Sequence, residues 1–275
     1  MNKINLRLIR VNPLSLPVFI GKERGIFEKH GLDINLGVDE KFLFDGNPDF
    51  YEGKADAMMG DIVMFFEMLE KGKDAIITSN LTRTMKLVGK NYPENFEGLI
   101  IGTGMSPLVK LYVQNDLNEN FKNAKTVKIK NSYDRVKALL NSEVHALSAI
   151  EPFISDVLEK GGEVIWDSRN SNSNLLMWCF DREFYTNNKE LVIKFHEALE
   201  EVQEIFNNLS EDEKVRLAIE CGKYDTNMAN RMRNFDFEKQ DNFKAEDFEI
   251  SQQWMFKNKQ ITKLYDTNKI LADIF

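Results

Sequence analysis

Apolar residues along the chain follow two rhythms in turn. Short runs alternate apolar with polar positions or are wholly apolar, as strands do; longer stretches repeat apolar residues every three to four positions, as helices do. Ile4, Leu6 and Leu8 open the series as a strand over 4–11. The turn Asn12-Pro13-Leu14-Ser15 follows, and Pro17 falls in the first turn of the next helix, where a missing N–H costs nothing. Further strands are predicted near 32–38, 55–59, 75–78, 85–89, 99–103, 126–130, 145–150, 164–166 and 175–180. Helices are predicted over 62–71, 108–115, 133–141, 152–160 and 189–208, the last with apolar residues at 191, 192, 195, 198, 199, 202, 205 and 206. Ser210 and Glu213 have the spacing of a capping box. The remainder is charged and helix-prone, with Phe235, Phe237, Phe243, Phe248 and Trp254 as packing anchors.

Strands alternating with helices give an α/β chain with largely parallel sheets. The alternation runs twice. The chain is expected to cross between two sets of βαβ units near 81–90 and again near 170–180, so that 1–88 and 178–275 build one lobe and 89–177 the other. Two crossings make a hinge. A cleft between lobes joined in this way suits a small ligand and can close around it.

Composition narrows the function. Of 275 residues 43% are hydrophobic, enough for a sizeable core, yet no apolar run is long enough to span a membrane. The net charge of −8, with Lys and Arg interspersed among Asp and Glu, lacks the basic stripe of a nucleic-acid binder. Cys179 and Cys221 form no metal-ligand spacing and no disulfide framework, and read as two thiols. The opening MNKINLRLIR reads as a strand and not as a signal peptide. The protein is then cytoplasmic, or extracytoplasmic with its secretion signal trimmed ahead of Met1.

No catalytic constellation emerges. His30, His145 and His196 form no HExxH or similar pair, so no metal is assigned. Gly102-Thr103-Gly104 lacks the third glycine of a dinucleotide fingerprint and reads as a tight turn. Glu197, Glu200, Glu201 and Glu204 read as a solvated helix face. What remains are strand-to-helix turns. Parallel sheets bind ligands beyond the carboxyl ends of their strands, where helix N-termini offer free N–H groups. The candidate turns are Asn12 to Ser15, Gly60-Asp61, Met105 to Pro107, Asn131-Ser132 and Ile150 to Pro152. Each is also an ordinary cap. The ligand-binding set is Asn12, Leu14, Ser15, Phe44, Gly60, Asp61, Ser106, Pro107, Glu151 and Trp166, with Phe44 or Trp166 to stack on a flat heterocycle and Arg83 or Arg169 for an anion. No catalytic residue and no cofactor is assigned.

Four segments resemble one family in order. Residues 21–36 (GKERGIFEKHGLDINL), 60–79 (GDIVMFFEMLEKGKDAIITS), 149–168 (AIEPFISDVLEKGGEVIWDS) and 179–207 look like the type II periplasmic binding proteins of ABC importers, in the branch that binds alkanesulfonates, nitrate and thiamine precursors. The resemblance covers most of residues 1–220. It implies a two-lobed fold with two βαβ sheets and a two-crossing hinge. It also implies capture of a small-molecule solute by lobe closure, delivery to an ABC permease if the chain is exported, and a monomer. By position, its ligand contacts fall at Asn12 to Ser15, Asp61, Ser106 and Glu151. Many relatives have Trp where this chain has Ile150. The same lobes also serve cytosolic enzymes, the pyrimidine synthases of thiamine biosynthesis and a menaquinone-pathway enzyme, and an enzyme of that kind is the alternative reading. The synthases carry clustered cysteines, which this chain lacks. A third reading is a cytosolic sensor that docks on a partner.

Overall fold

A computed structural model describes residues 3–38, 48–104, 106–115 and 121–275. The chain divides into two compact units, Met1–Thr82 with Leu175–Phe275, and Arg83–Asn174.

In the first unit β1 (Lys3–Leu8), β2 (Asp33–Val38), β3 (Ala57–Asp61), β4 (Ala75–Asn80) and β10 (Leu176–Asp181) form a sheet in the order β2-β1-β3-β10-β4. β1 is parallel to β2 and β3, while β10 runs antiparallel to β3 and β4. In the second unit β5 (Lys86–Gly89), β6 (Ile100–Thr103), β7 (Lys125–Lys128), β8 (Ala146–Ala149) and β9 (Glu163–Asp167) follow the order β7-β6-β8-β5-β9. β6 is parallel to β7 and β8, and β5 is antiparallel to β8 and β9.

The two orders are one pattern: a parallel trio, a reversed strand and a final strand. The reversed strand is in each unit the first one after a crossing, β5 after Thr82 and β10 after Asn174. The sheets are therefore mixed where largely parallel ones were expected, because an apolar run carries no sign of strand direction. The expected lobe borders at 88/89 and 177/178 move to 82/83 and 174/175, since β5 pairs only within the second sheet and β10 only within the first.

Helices cover the sheets because their apolar stripes have nowhere else to go. In the first unit these are α1 (Leu16–Glu23), α2 (Ile26–Lys29), α3 (Pro48–Tyr51), α4 (Ile62–Glu70), α8 (Arg182–Asn187), α9 (Lys189–Asn207), α10 (Glu211–Glu220), α11 (Thr226–Asn230), α12 (Ala245–Lys257) and α13 (Thr267–Ile270). Leu191, Val192, Phe195, Ala198, Leu199, Val202 and Phe206 bury one face of α9, and Phe195 stacks on Phe27 with ring centroids 5.8 Å apart. At about 1.5–3 kcal/mol for each large apolar side chain, this stripe outweighs any helix propensity. Ile205, expected in the stripe, is 41% exposed. The capping box forms as expected, with the Glu213 carboxylate accepting from Ser210 N at 3.1 Å and Ser210 Oγ at 2.7 Å.

Beyond α11 the chain is less helical than its composition suggested, and residues 235–244 are irregular. Apolar anchors hold it: Phe237, Phe243, Phe248 and Trp254 are buried, and the Phe248 ring lies 4.9 Å from that of Phe66 on α4. The last residues return to the open side of β4. Leu271 bridges Ile77 in parallel, and Ala272 N donates to the Ile77 carbonyl at 2.8 Å.

In the second unit α5 (Leu108–Asn115), α6 (Ser132–Leu140) and α7 (Phe153–Glu159) serve the same purpose. Val136, Leu139, Val144, Leu147, Phe153 and Val157 lie in one buried cluster under α6 and α7. Among the described residues no helix is long and apolar enough to cross a membrane.

Candidate functional site

Each parallel trio ends its strands on one side of its sheet. In the first unit these ends are Leu8, Val38 and Asp61. The turn after β1 is built by its own side chains. Asn12 Oδ1 accepts from Leu14 N at 2.9 Å, and Ser15 N donates to the Asn12 carbonyl at 3.1 Å. Ser15 is fully buried, and its hydroxyl is shared between the carbonyls of Ile9 and Asn12. Ser15 therefore closes its own loop, while Asn12 and Leu14 keep partial exposure. After β3, Asp61 caps α4, its Oδ1 accepting from Val63 N and Met64 N at 3.0 Å each. Gly60 lies beside the Met58 and Met177 methyls. The turn after β2, with Phe44, lies outside the described residues.

In the second unit the trio ends at Lys128, Thr103 and Ala149. Ser106 Oγ accepts from Leu108 N at 3.2 Å, and the Pro107 carbonyl from Lys110 N at 2.8 Å, which starts α5. Met105 lies outside the described residues. Asn131 caps α6, accepting from Tyr133 N at 2.8 Å and Asp134 N at 3.2 Å. Glu151 Oε2 accepts from Ser155 N at 3.1 Å and Ser155 Oγ at 2.7 Å, which starts α7 after a cis Glu151–Pro152 bond. Trp166 stands near the end of β9, two strands beyond β8, with its ring 5.0 Å from that of the buried Tyr112.

The two arginines suggested for an anion are engaged locally. Arg83 Nη1 donates to the Ser171 carbonyl at 2.6 Å, and Arg169 Nε to the Arg83 carbonyl at 3.2 Å. Two residues that sequence reasoning passed over stand at the α6 turn. Tyr133 is 62% exposed and leans edge-on against Phe153, centroids 5.2 Å apart. Arg135 donates from Nη1 to the carbonyls of Ile129 (2.9 Å) and Lys130 (3.1 Å) and from Nη2 to Ser132 Oγ (2.8 Å). The available signal was their place in the first turn after an Asn-Ser cap.

Thiols and imidazoles are spoken for. Cys179 is buried in the middle of β10, and burial pushes its thiol well above the usual range. Burial also raises Cys221. His145 Nδ1 accepts from Ile100 N at 3.1 Å, and His30 pairs with Glu201 at 2.7 Å. His196 is fully buried between Thr78 (2.9 Å) and Gln240 (2.8 Å), and its pKa is pushed down to about 4 by desolvation. Among the described residues, no group of three His, Cys, Asp or Glu side chains could hold a metal ion.

No protein-family model matches the chain, and no curated protein matches it in sequence. Solved structures do match in fold. The periplasmic aliphatic sulphonate binding protein SsuA from Escherichia coli superposes with a TM-score of 0.78 at 13% identity, over 98% of this chain and 97% of its own. The ligand-binding component of an ABC-type import system from Staphylococcus aureus, solved with zinc bound, gives 0.72 at 12% identity, over 95% and 93%. The desulfurization enzyme DSZB gives 0.65 at 12% identity, over 99% and 96%. The chain thus has the type II periplasmic-binding-protein fold, as its four quoted segments implied.

Proposed function

We propose that the chain is the solute-binding component of an ABC importer, taking up a small organic molecule by hinge closure and handing it unaltered to a permease. The observation that carries the reading is the repeated turn cluster. Among the described residues, strand-to-helix turns follow β1 and β3 in the first unit and β6, β7 and β8 in the second, at the carboxyl ends of the parallel trios, the place where such sheets hold ligands. The fold shared with sulfonate-binding SsuA supports it. In this reading Asn12, Leu14, Gly60 and Asp61 contribute from the first unit, and Ser106, Pro107 and Glu151 from the second. Ser15 shapes its turn from within. The protein acts outside the cytoplasm as a monomer.

DSZB, an enzyme on the same fold, keeps a second reading alive, in which the same turns hold a substrate that is converted. Neither cysteine favours it, because both thiols are held protonated by burial. One experiment tests both readings. A thermal-shift screen against sulfonates, nitrate, pyrimidines, flavins, amino acids and aromatic acids is expected to return a ligand recovered unchanged. At a hundredfold excess over Kd, such a ligand adds about 2.7 kcal/mol of stability. A stabilising compound that is consumed moves the assignment to the enzyme, and a screen without any hit removes the solute-binding reading.

A further inference from the structure

We infer that the loop after α12 is a docking surface for an anionic lipid bilayer; the inference stands apart from the solute-binding reading above. From Ile250 to Tyr265 the sequence has three lysines, Lys257, Lys259 and Lys263, and no Asp or Glu, although acidic residues outnumber basic ones by 44 to 36 in the whole chain. Phe256 is 45% and Leu264 44% exposed, and all three lysines are exposed beside them. Among the described residues none of the three lysines is in an ion pair. Single exposed apolar side chains are ordinary on a protein surface. Set among unpaired lysines they match a bilayer twice, because the lysines attract anionic head groups and the apolar chains enter the boundary of the acyl region. An acidic protein surface would engage the lysines alone.

The loop is a fixed frame held from within. Lys259 N donates to the Phe256 carbonyl at 3.0 Å and Gln260 N to the Met255 carbonyl at 2.9 Å. Lys259 has φ 57°, the left-handed position where helix ends favour glycine. The backbone alone does not call for a lysine there, which directs attention to its side chain. Ile261 is buried under the loop. Thr262 donates from N (3.0 Å) and Oγ1 (2.8 Å) to Glu70 Oε2, and the Tyr265 hydroxyl donates to Glu70 Oε1 at 2.6 Å. Tyr265 N donates to Gln252 Oε1 at 2.8 Å. The carboxylate that meets the loop is thus engaged in holding it, and the outward side chains need little ordering on contact. Glu70 ends α4 and Asp61 caps its start, so this surface and the candidate ligand turn lie at opposite ends of that helix. The net charge of −8 opposes contact with an anionic bilayer, but at 0.1 M salt its field is screened within about 10 Å. Each lysine at such a surface is worth about fivefold in affinity, and three together on the order of a hundredfold.

Co-flotation of the full chain with vesicles tests the inference, with phosphatidylglycerol and phosphatidylcholine in equal parts compared with phosphatidylcholine alone. At low salt the mixed vesicles are expected to bind the chain about tenfold or more tightly, and at about 1 M salt, where screening acts within about 3 Å, most of that preference should vanish. Lys257→Gln combined with Lys259→Gly removes two charges and gives the helix end its favoured residue. The melting temperature should hold while affinity for the mixed vesicles falls about twentyfold. Phe256→Ser should weaken binding and leave its salt dependence in place. Lys125→Gln combined with Lys128→Gln takes the same charge from β7 and should change nothing. Mixed vesicles that bind no chain at low salt, or no more than phosphatidylcholine does, overturn the inference. So does a folded Lys257→Gln, Lys259→Gly variant with wild-type affinity, or an equal loss in the β7 variant. Should the double variant fail to fold, wild-type affinity in Lys257→Gln alone overturns it. Unchanged affinity in a folded Phe256→Ser overturns it too, since lysines without an apolar contribution fit an acidic protein as well. A chain that ignores both vesicles but is retained by immobilised polyglutamate assigns the surface to such a protein instead.

Discussion

His196 shows how one buried side chain can tie stability to acidity. As a neutral ring it donates from Nδ1 to Gln240 Oε1 and accepts at Nε2 from the Thr78 hydroxyl. Its folded pKa of about 4 lies below the ordinary imidazole value of about 6.5. The unfolded chain therefore binds the extra proton first, and stability present above pH 6.5 is lost as the pH falls towards 4. The loss amounts to about 3 kcal/mol at most. Melting temperatures measured across that window should fall, and His196→Gln should flatten the slope. Asp61 offers a second test, because it both caps α4 and stands in the proposed site. Asp61→Ala removes the cap and should cost about 0.5–2 kcal/mol of stability. Asp61→Asn keeps a good cap and removes only the charge, so a tenfold loss of affinity with an unchanged melting temperature would assign Asp61 to the ligand. Unchanged affinity in both variants would confine it to capping. The residue scale is where sequence reading reached least far. Asp61 and Glu151 were legible as turn residues, but Ser and Asp serve caps and ligands alike. Arg135 was passed over because its place in the first turn after an Asn-Ser cap does not tell that its guanidinium folds back onto the carbonyls of Ile129 and Lys130.

At the scale of elements, helices and strands were legible almost throughout, since period and caps are local properties. Strand direction was not. Nothing in the run Leu175 to Phe180 says that it enters between β3 and β4 in reverse. The tail was misjudged for a related reason: its Phe and Trp residues suited helix faces as well as the irregular path they take. That tail has a specific task at the margin of the first sheet. β4 is the last strand in the order, and Leu271 and Ala272 cover part of its free side. Uncovered edges invite pairing with other chains. Deleting residues 271–275 should therefore lower the melting temperature and raise light scattering on warming. A truncated chain that stays monodisperse with an unchanged melting temperature would show the cover to be dispensable.

At the scale of the whole molecule, two crossings and two sets of βαβ units were readable. Their borders were not, because β5 and β10 look like the closing strands of the units they leave. The second unit is one uninterrupted stretch, and its sheet and its buried cluster come entirely from Arg83–Asn174. Expressed alone, this stretch should fold with a cooperative melt, whereas residues 1–82 alone should not, for want of β10. Circular dichroism on the two fragments distinguishes the cases.

The place of β10 in the first sheet also has a bearing on synthesis. It lies between β3 and β4, yet it is encoded about a hundred residues after them. As the chain leaves the ribosome, β4 has no neighbour until Leu176–Asp181 emerges, and by then every strand of the second unit is already out. The half that is translated first is thus the half completed last, and for that interval its open strands depend on whatever the cell provides to keep them apart.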